Sequence, residues 1–189
     1  MVNERKKEVI DICLNLFITK GLHDTSTRDL SKAMKLQNAG LYYYFSAKDD
    51  AVIACAEEAA VRLETNLIYA ALAELDTPEK MMDHLQSISN EMAPLMKFLA
   101  SVCVTPRYEL AIRPALDRLA RRYKQYAEKF AEKLGCPVER IEPYVYMGIT
   151  AASNYMLFNE NSYIKPQMDM IKERLKHIQN DEGQGEVKT

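Results

Sequence analysis

The sequence predicts an all-helical protein in two parts, a small N-terminal three-helix unit and a larger helical remainder, and three observations carry that prediction. Glycine and proline are scarce, 6 and 7 among 189 residues, which leaves little material for repeated hairpin turns. Apolar residues recur at spacings of three and four along stretches rich in Ala, Leu, Glu and Lys, and no alternating strand run stands out. Hydroxyl and acid residues stand three apart where helices should start, at Ser26/Asp29 and Ser46/Asp49; the hydroxyl accepts from an orphan backbone N–H and the acid returns the bond. A hydrophobic content of 48% is enough to bury a substantial core, in one large domain or two small ones.

Taken in order, residues 3–20 form a first helix with Val9, Ile10, Cys13, Leu14 and Phe17 on its apolar face, ended by Gly21 at the left-handed position. Arg5, Lys6 and Lys7 lie in its first turn, where cations oppose the helix dipole; DNA phosphate and a plain solvated face account for them equally. A short helix begins near Thr27 with Leu30, Ala33 and Met34 inward, and a break follows over which Leu36, Leu41 and Phe45 close. That arrangement of helix, tight turn and second short helix is the geometry that sets a recognition helix in a major groove. A helix of some 28 residues then runs over 47–75 with Val52, Ile53, Ala56, Ala60, Leu63, Leu67 and Ala71 along one stripe. It ends at Asp76, Thr77 and Pro78, and forms the mechanical connection between the two halves.

The second half should be softer and more aromatic. Met81, Leu85, Ile88 and Met92 line one helix, Pro94 interrupts it, and residues 95–104 form a short apolar segment that ends at Thr105, Pro106 and Arg107. Pro114 starts or kinks a long helix carrying Leu116, Leu119, Tyr123, Tyr126, Phe130 and Leu134, closed by Gly135. Two further helices follow. Val138, Ile141, Val145, Gly148, Ile149, Ala152 and Met156 form one stripe; Ile164, Met168, Ile171, Leu175 and Ile178 form a seam that wants a partner, within the chain or in a second copy. Residues 181–189 have little to bury and read as a loose tail.

The surface left outside the 25–50 segment points to nucleic acid. Gln37, Asn38, Ala39 and Gly40 open the second short helix with small or amide residues suited to approaching base edges, and Gly40 is a poor choice for helix stability alone. Tyr42, Tyr43 and Tyr44 cannot all face one core, because successive helical residues are about 100° apart. Lys48 lies in the first turn of the next helix, where an anion such as phosphate would relieve it.

The run TSTRDLS, followed by LYYYF and SAKDD at this spacing, resembles the DNA-binding domain of tetracycline-repressor-type (TetR family) transcriptional regulators, and the long helical remainder suits the same family. The resemblance implies phosphate contacts from Thr27, Tyr42 and Lys48, and base contacts from Arg28, Gln37, Asn38 and Tyr43, with Ala39 and Gly40 beside them. Two positions depart from the family pattern: Lys35 stands where a turn glycine is usual, and Gln37 where a capping serine or threonine is common. The resemblance also implies a homodimer formed through the last two long helices. We assign Val145, Gly148, Ala152, Met156, Met168, Ile171, Leu175 and Ile178 to that interface. A two-fold dimer presents its recognition helices about one DNA turn, roughly 34 Å, apart and so expects a palindromic operator on double-stranded DNA.

The net charge of −2 does not by itself advertise DNA binding, but residues 1–48 hold eight Lys/Arg against five acids and the rest 17 against 22. Cys13, Cys55, Cys103 and Cys136 lack any CxxC, and His23, His84 and His177 are scattered. Neither a metal, a cofactor, a disulfide nor a catalytic triad is expected, and an enzyme is the weaker class. No apolar run approaches the roughly 20 residues that span a bilayer, and the opening MVNERKKEV lacks a secretory centre, so no membrane partner and a cytoplasmic location are expected. Methionine and tyrosine collect in the second half. A mostly apolar effector pocket is expected there, lined by Met82, Leu85, Met92, Met96, Cys103, Tyr108, Tyr123, Tyr126, Tyr146, Thr150 and Asn154, for a lipophilic or aromatic small molecule of unknown identity.

The domains expected are therefore a helix-turn-helix DNA-binding domain at 1–48, a helical effector-binding and dimerisation domain at 49–180, and a tail at 181–189. The function expected is operator binding as a dimer, with repression rather than activation, relieved by the effector. An effector-independent dimeric regulator is the nearest alternative, and a helical enzyme or adaptor reusing the fold a remote one.

Overall fold

A computed structural model describes residues 2–36, 40–69, 78–158 and 161–185, and every regular element among them is helical. In order these are α1 (Val2–Lys20), α2 (Thr27–Ala33), α3 (Leu41–Tyr44), α4 (Lys48–Leu63) continuing as a π-helical turn (Glu64–Tyr69), α5 (Pro78–Cys103), α6 (Pro106–Leu134), α7 (Val138–Phe158) and α8 (Asn161–Gly185). The expected all-helical fold is what the described residues form.

The chain divides into two compact units. The first joins Met1–Arg62 to Pro94–Asp117, so the end of α5 and the start of α6 pack with the N-terminal helices. Its core takes Val9, Cys13, Leu14 and Phe17 from α1, Leu30 and Met34 around α2, Leu41 and Phe45 around α3, and Val52, Cys55, Ala56 and Ala59 from α4. Phe17 stacks on Phe98 of α5 with ring centroids 5.7 Å apart. Gly21, at φ 100°, closes α1 as expected.

The second unit joins Leu63–Ala93 to Arg118–Thr189. Here α7 and α8 lie side by side with Ile141, Val145, Ala152, Met156, Met168, Ile171 and Leu175 buried. Tyr126, Phe130 and Leu134 of α6 are buried in the same unit. Two polar ties accompany this packing: the Tyr155 hydroxyl donates to Asn90 Oδ1 at 2.9 Å, and Lys172 pairs with Asp83.

Four expectations are corrected. Pro94 does not end its helix, and α6 begins at Pro106, eight residues before Pro114. Pro143 and Pro166 also lie inside helices. All four prolines sit on exposed faces, where water can take up the carbonyl that the missing N–H leaves unbonded, while apolar residues on the opposite face hold both halves of the helix. The helix expected over 47–75 is α-helical only to Leu63; its ladder then widens to a π turn, residues 70–75 lie outside the described residues, and so does the side chain of Leu67. Finally, α8 runs to Gly185, into the stretch expected as a tail.

Candidate nucleic-acid interface

The entrance to α2 is fixed by local chemistry. Asp29 N–H donates to Ser26 Oγ at 3.2 Å, and Ser26 N–H donates to Asp29 Oδ2 at 2.8 Å, the reciprocal box expected from the sequence. Lys20 adds an ion pair to the same carboxylate. Lys20 first, then Ser26, hold the Asp29 carboxyl well below the usual carboxylate range. Thr25 is buried beneath this corner and its hydroxyl donates to Gly21 O at 2.7 Å. The anchoring leaves Thr27 half-buried in the first turn of α2 and Arg28 exposed beside it.

The turn after α2 is closed by two bonds, Leu36 N–H to Ser31 O at 2.9 Å and Lys35 N–H to Lys32 O at 3.0 Å. They require Lys35 to adopt φ 56°, the left-handed region. The turn therefore keeps the shape that a glycine would give it, at the cost of backbone strain. Gly135, at φ 67°, closes α6 with the same pair of bonds, Cys136 N–H to Ala131 O and Gly135 N–H to Glu132 O.

Beyond the turn, Gln37, Asn38 and Ala39, all expected at the bases, lie outside the described residues. Gly40 has φ −65° and ψ −29°, so its backbone does not demand glycine; what its missing side chain provides is bare surface at the start of α3. Leu41 and Phe45 anchor α3 into the core. Tyr42 and Tyr43 are left 58% and 82% exposed, while Tyr44 is half-buried and meets Tyr43 edge-on at 4.9 Å. Tyr44 also bonds Arg5, and Arg5 pairs with Glu8, so one of the first-turn cations of α1 is held beside α3.

The start of α4 differs from expectation by one residue. Asp50 Oδ2, not Asp49, accepts the Ala47 N–H at 3.2 Å, because α4 begins at Lys48. Asp49 is turned instead to α6, where it accepts the Tyr108 hydroxyl at 3.0 Å and pairs with Arg107. Lys48, expected on phosphate, donates from Nζ to Leu22 O at 2.9 Å. One of its three N–H donors thus braces the loop after α1, leaving the half-buried ammonium two more.

The residues expected around an effector divide between the units. Met96, Cys103 and Tyr108 belong to the first, and Met92, Tyr123, Tyr126, Tyr146, Thr150 and Asn154 to the second; the side chains of Met82 and Leu85 lie outside those described. In the second unit Met92 and Tyr126 are buried, Tyr123, Tyr146 and Asn154 half-buried and Thr150 exposed. The Tyr126 hydroxyl donates to Glu64 Oε1, in the π turn, at 2.8 Å, and Arg122 approaches the same oxygen at 3.4 Å. Burial first, then the charge of Glu64 and the neighbouring Tyr126, raises the Tyr123 pKa well above the ordinary phenol value. The Tyr146 hydroxyl donates to Glu142 at 2.7 Å, and that bond first, then burial, pushes its pKa up to about 12. Glu64 was not among the expected residues. It lies 62 positions from Tyr126, and nothing local marks the pairing.

All eight residues assigned to a dimer seam, Val145, Gly148, Ala152, Met156, Met168, Ile171, Leu175 and Ile178, are already buried within the single chain. The helices α7 and α8 pack on each other in this unit, and α5 reaches both through Asn90 and Asp83. Among the described residues, the large apolar side chains left outside on this pair are Met147, Phe158 and Met170, 42%, 74% and 47% exposed. The four cysteines are free thiols; Cys13 and Cys55 are buried, and burial pushes the Cys13 pKa up to about 11.

Residues 9–55 match the family model of bacterial regulatory proteins, tetR family. No curated protein matches the chain. Solved structures do. A TetR transcription regulator from Haloarcula marismortui aligns with TM-score 0.69 at 13% identity, over 93% of this chain and 98% of the other. A tetR-family transcriptional regulator from Streptomyces coelicolor aligns with TM-score 0.61 at 17% identity, over 94% and 80%. The multidrug binding protein EbrR, complexed with imidazole, aligns with TM-score 0.64 at 14% identity, over 90% and 94%. The fold is therefore TetR-like, and the family model and the solved structures that the chain resembles are those of transcriptional regulators. In particular, the family match falls within the first unit, from α1 through α3 into α4. Among the described residues no helix is long and apolar enough to cross a membrane.

Proposed function

We propose that this protein is a cytoplasmic, homodimeric repressor whose α2–α3 motif binds a palindromic operator and is released by a small lipophilic or aromatic effector. The observation that carries the DNA-binding role is the exposure of Tyr42, Tyr43 and Arg28 on a motif that Leu30, Met34, Leu41 and Phe45 anchor in the core. A 58% and an 82% exposed tyrosine side by side are costly as plain surface, and phosphate and base edges offer both the hydroxyl and the ring a partner. Thr27, Tyr42 and Lys48 serve phosphate; Arg28, Gln37, Asn38 and Tyr43 serve bases, with Ala39 and Gly40 allowing close approach.

Dimerisation uses the outer surface of α7 and α8. Since the seam residues are already buried within one chain, Met147, Phe158 and Met170 are, among the described residues, the large apolar groups available to a partner. Effector binding rests on the methionine and tyrosine content of the second half, and on the small-molecule binding of EbrR, a protein of similar fold. In this reading α4, with its π turn, carries the effector state to the motif.

An effector-independent regulator is favoured by one observation. The hydroxyls of Tyr108, Tyr126, Tyr146 and Tyr155 already have internal acceptors, leaving none of them waiting for a ligand. Replacing both Tyr42 and Tyr43 by alanine separates DNA binding from folding, because both lie outside the core. The double variant should keep its helical circular dichroism and melting temperature while losing protection of promoter DNA; protection unchanged from wild type would place the DNA contact elsewhere. For an effector, reciprocity is the test: a true one binds operator-loaded protein more weakly than free protein, by the factor with which it weakens operator binding.

A further inference from the structure

After Leu63 the ladder of α4 widens: Glu64–Tyr69 form a π turn, whose N–H groups reach back five residues in place of four and so take in one extra residue. Its sequence, ETNLIY, holds neither proline nor glycine, so nothing local forbids the tighter α ladder. The turn is held from outside. Glu64 Oε1 accepts the Tyr126 hydroxyl at 2.8 Å and lies 3.4 Å from Arg122 Nε, both on α6, while Asn66 O lies 3.4 Å from His84 Nε2 on α5. Two helices of the second unit thus tie the first and third residues of the turn. Glu64 is half-buried and Tyr126 buried, so water competes weakly for their bond.

We propose that this turn is a two-register device, held in the π register by Glu64 and His84 and closing to the α register when they are released. Closing moves the residues beyond the turn by one helical position, about 1.5 Å along the axis and about 100° around it. Glu64 is the positioning residue, because one oxygen of its carboxylate meets both α6 donors. A ligand that takes the Tyr126 hydroxyl or the Arg122 guanidinium for itself frees Glu64 and so favours the α register. This deepens the role proposed for α4, and its effect on DNA rests on that reading; the change of register does not.

Site-resolved amide hydrogen exchange on the full-length protein reads the register without a ligand. In Glu64→Ala the amides of residues 65–69 should exchange about fivefold more slowly than in wild type, because the closed ladder gains a hydrogen bond of ordinary net strength. Unchanged rates at residues 52–60 show that the variant is folded; if it is not, Tyr126→Phe, which keeps its ring in the core, takes its place. Deletion of Thr65 removes the extra residue and fixes the α register, so adding Glu64→Ala to the deletion should slow exchange no further. The proposal is overturned if Glu64→Ala leaves these rates as they were or speeds them, as fraying of a braced turn would, or if it slows the deletion variant equally. DNA selected from a random pool by wild type gives the second readout: Glu64→Ala should bind it with an affinity changed by about fivefold or more. Slowed exchange with unchanged affinity overturns the link to DNA, whereas a wild type that selects no DNA counts against the DNA-binding reading and not against the register.

Discussion

Lys35 occupies a conformation that its side chain does not favour. The same capping bonds recur after α6, where Gly135 adopts the left-handed conformation without a Cβ penalty. The strain at Lys35 is about 1–2 kcal/mol, partly offset in a variant by glycine's greater freedom when unfolded. Lys35→Gly should therefore stabilise the protein by roughly 1 kcal/mol in urea denaturation; a loss of stability would mean that the exposed lysine makes contacts worth more than the strain. Asp29 offers a pH test at the same scale. Its folded pKa is lowered, so its contribution is complete above the unfolded value of about 4 and is lost as pH falls from there through the lowered folded value. Asp29→Asn should show a shallower loss of stability between about pH 4 and pH 2 than wild type. For Lys48, whose Nζ already bonds Leu22 O, alanine should lower stability as well as operator affinity, and reduce the salt slope of binding by about one if the phosphate contact exists.

At the level of elements, α1, α2 and the α7–α8 stripes could be read from the sequence because their signals are local: a three-to-four apolar spacing, a Ser26–Asp29 box, a terminal Gly21. The prolines misled because the cost of one inside a helix is set by what both halves bury, and that is a tertiary quantity. The π turn and its Tyr126–Glu64 bond were invisible for the same reason, as was Asp49 serving Tyr108 across 59 positions while Asp50 capped the helix. These bonds should differ in weight. Tyr126 is buried and its partner lies in the irregular turn, so Tyr126→Phe should cost about 1–2 kcal/mol. Tyr146→Phe breaks only a bond within one helix, to Glu142, and should change stability by less than about 0.5 kcal/mol. Equal losses in a melting comparison would show that the π turn needs no such support.

For the whole molecule, heptad-like spacing marks apolar stripes on α7 and α8 that are buried within the single chain, but periodicity does not say whose helix fills a stripe. In this chain both stripes are buried without a second copy, so acidic residues at Ile171 and Leu175 should unfold the second unit, not merely split a dimer. Met147→Glu with Met170→Glu should instead give folded monomers by sedimentation, since both side chains lie outside the core. A doubly substituted protein that remains dimeric at micromolar concentration would move the interface off this face. In the proposed complex dimerisation would matter because the N-terminal 48 residues carry a surplus of only three positive charges, and a second copy would double the phosphate contacts along a duplex. Selection of operator DNA from a random pool by the full-length protein tests this account most directly. It should recover an inverted repeat whose half-site centres lie about one helical turn, roughly 34 Å, apart, with wild-type affinity falling steeply as salt rises; recovery of a single asymmetric site, or of no sequence at all, would contradict it.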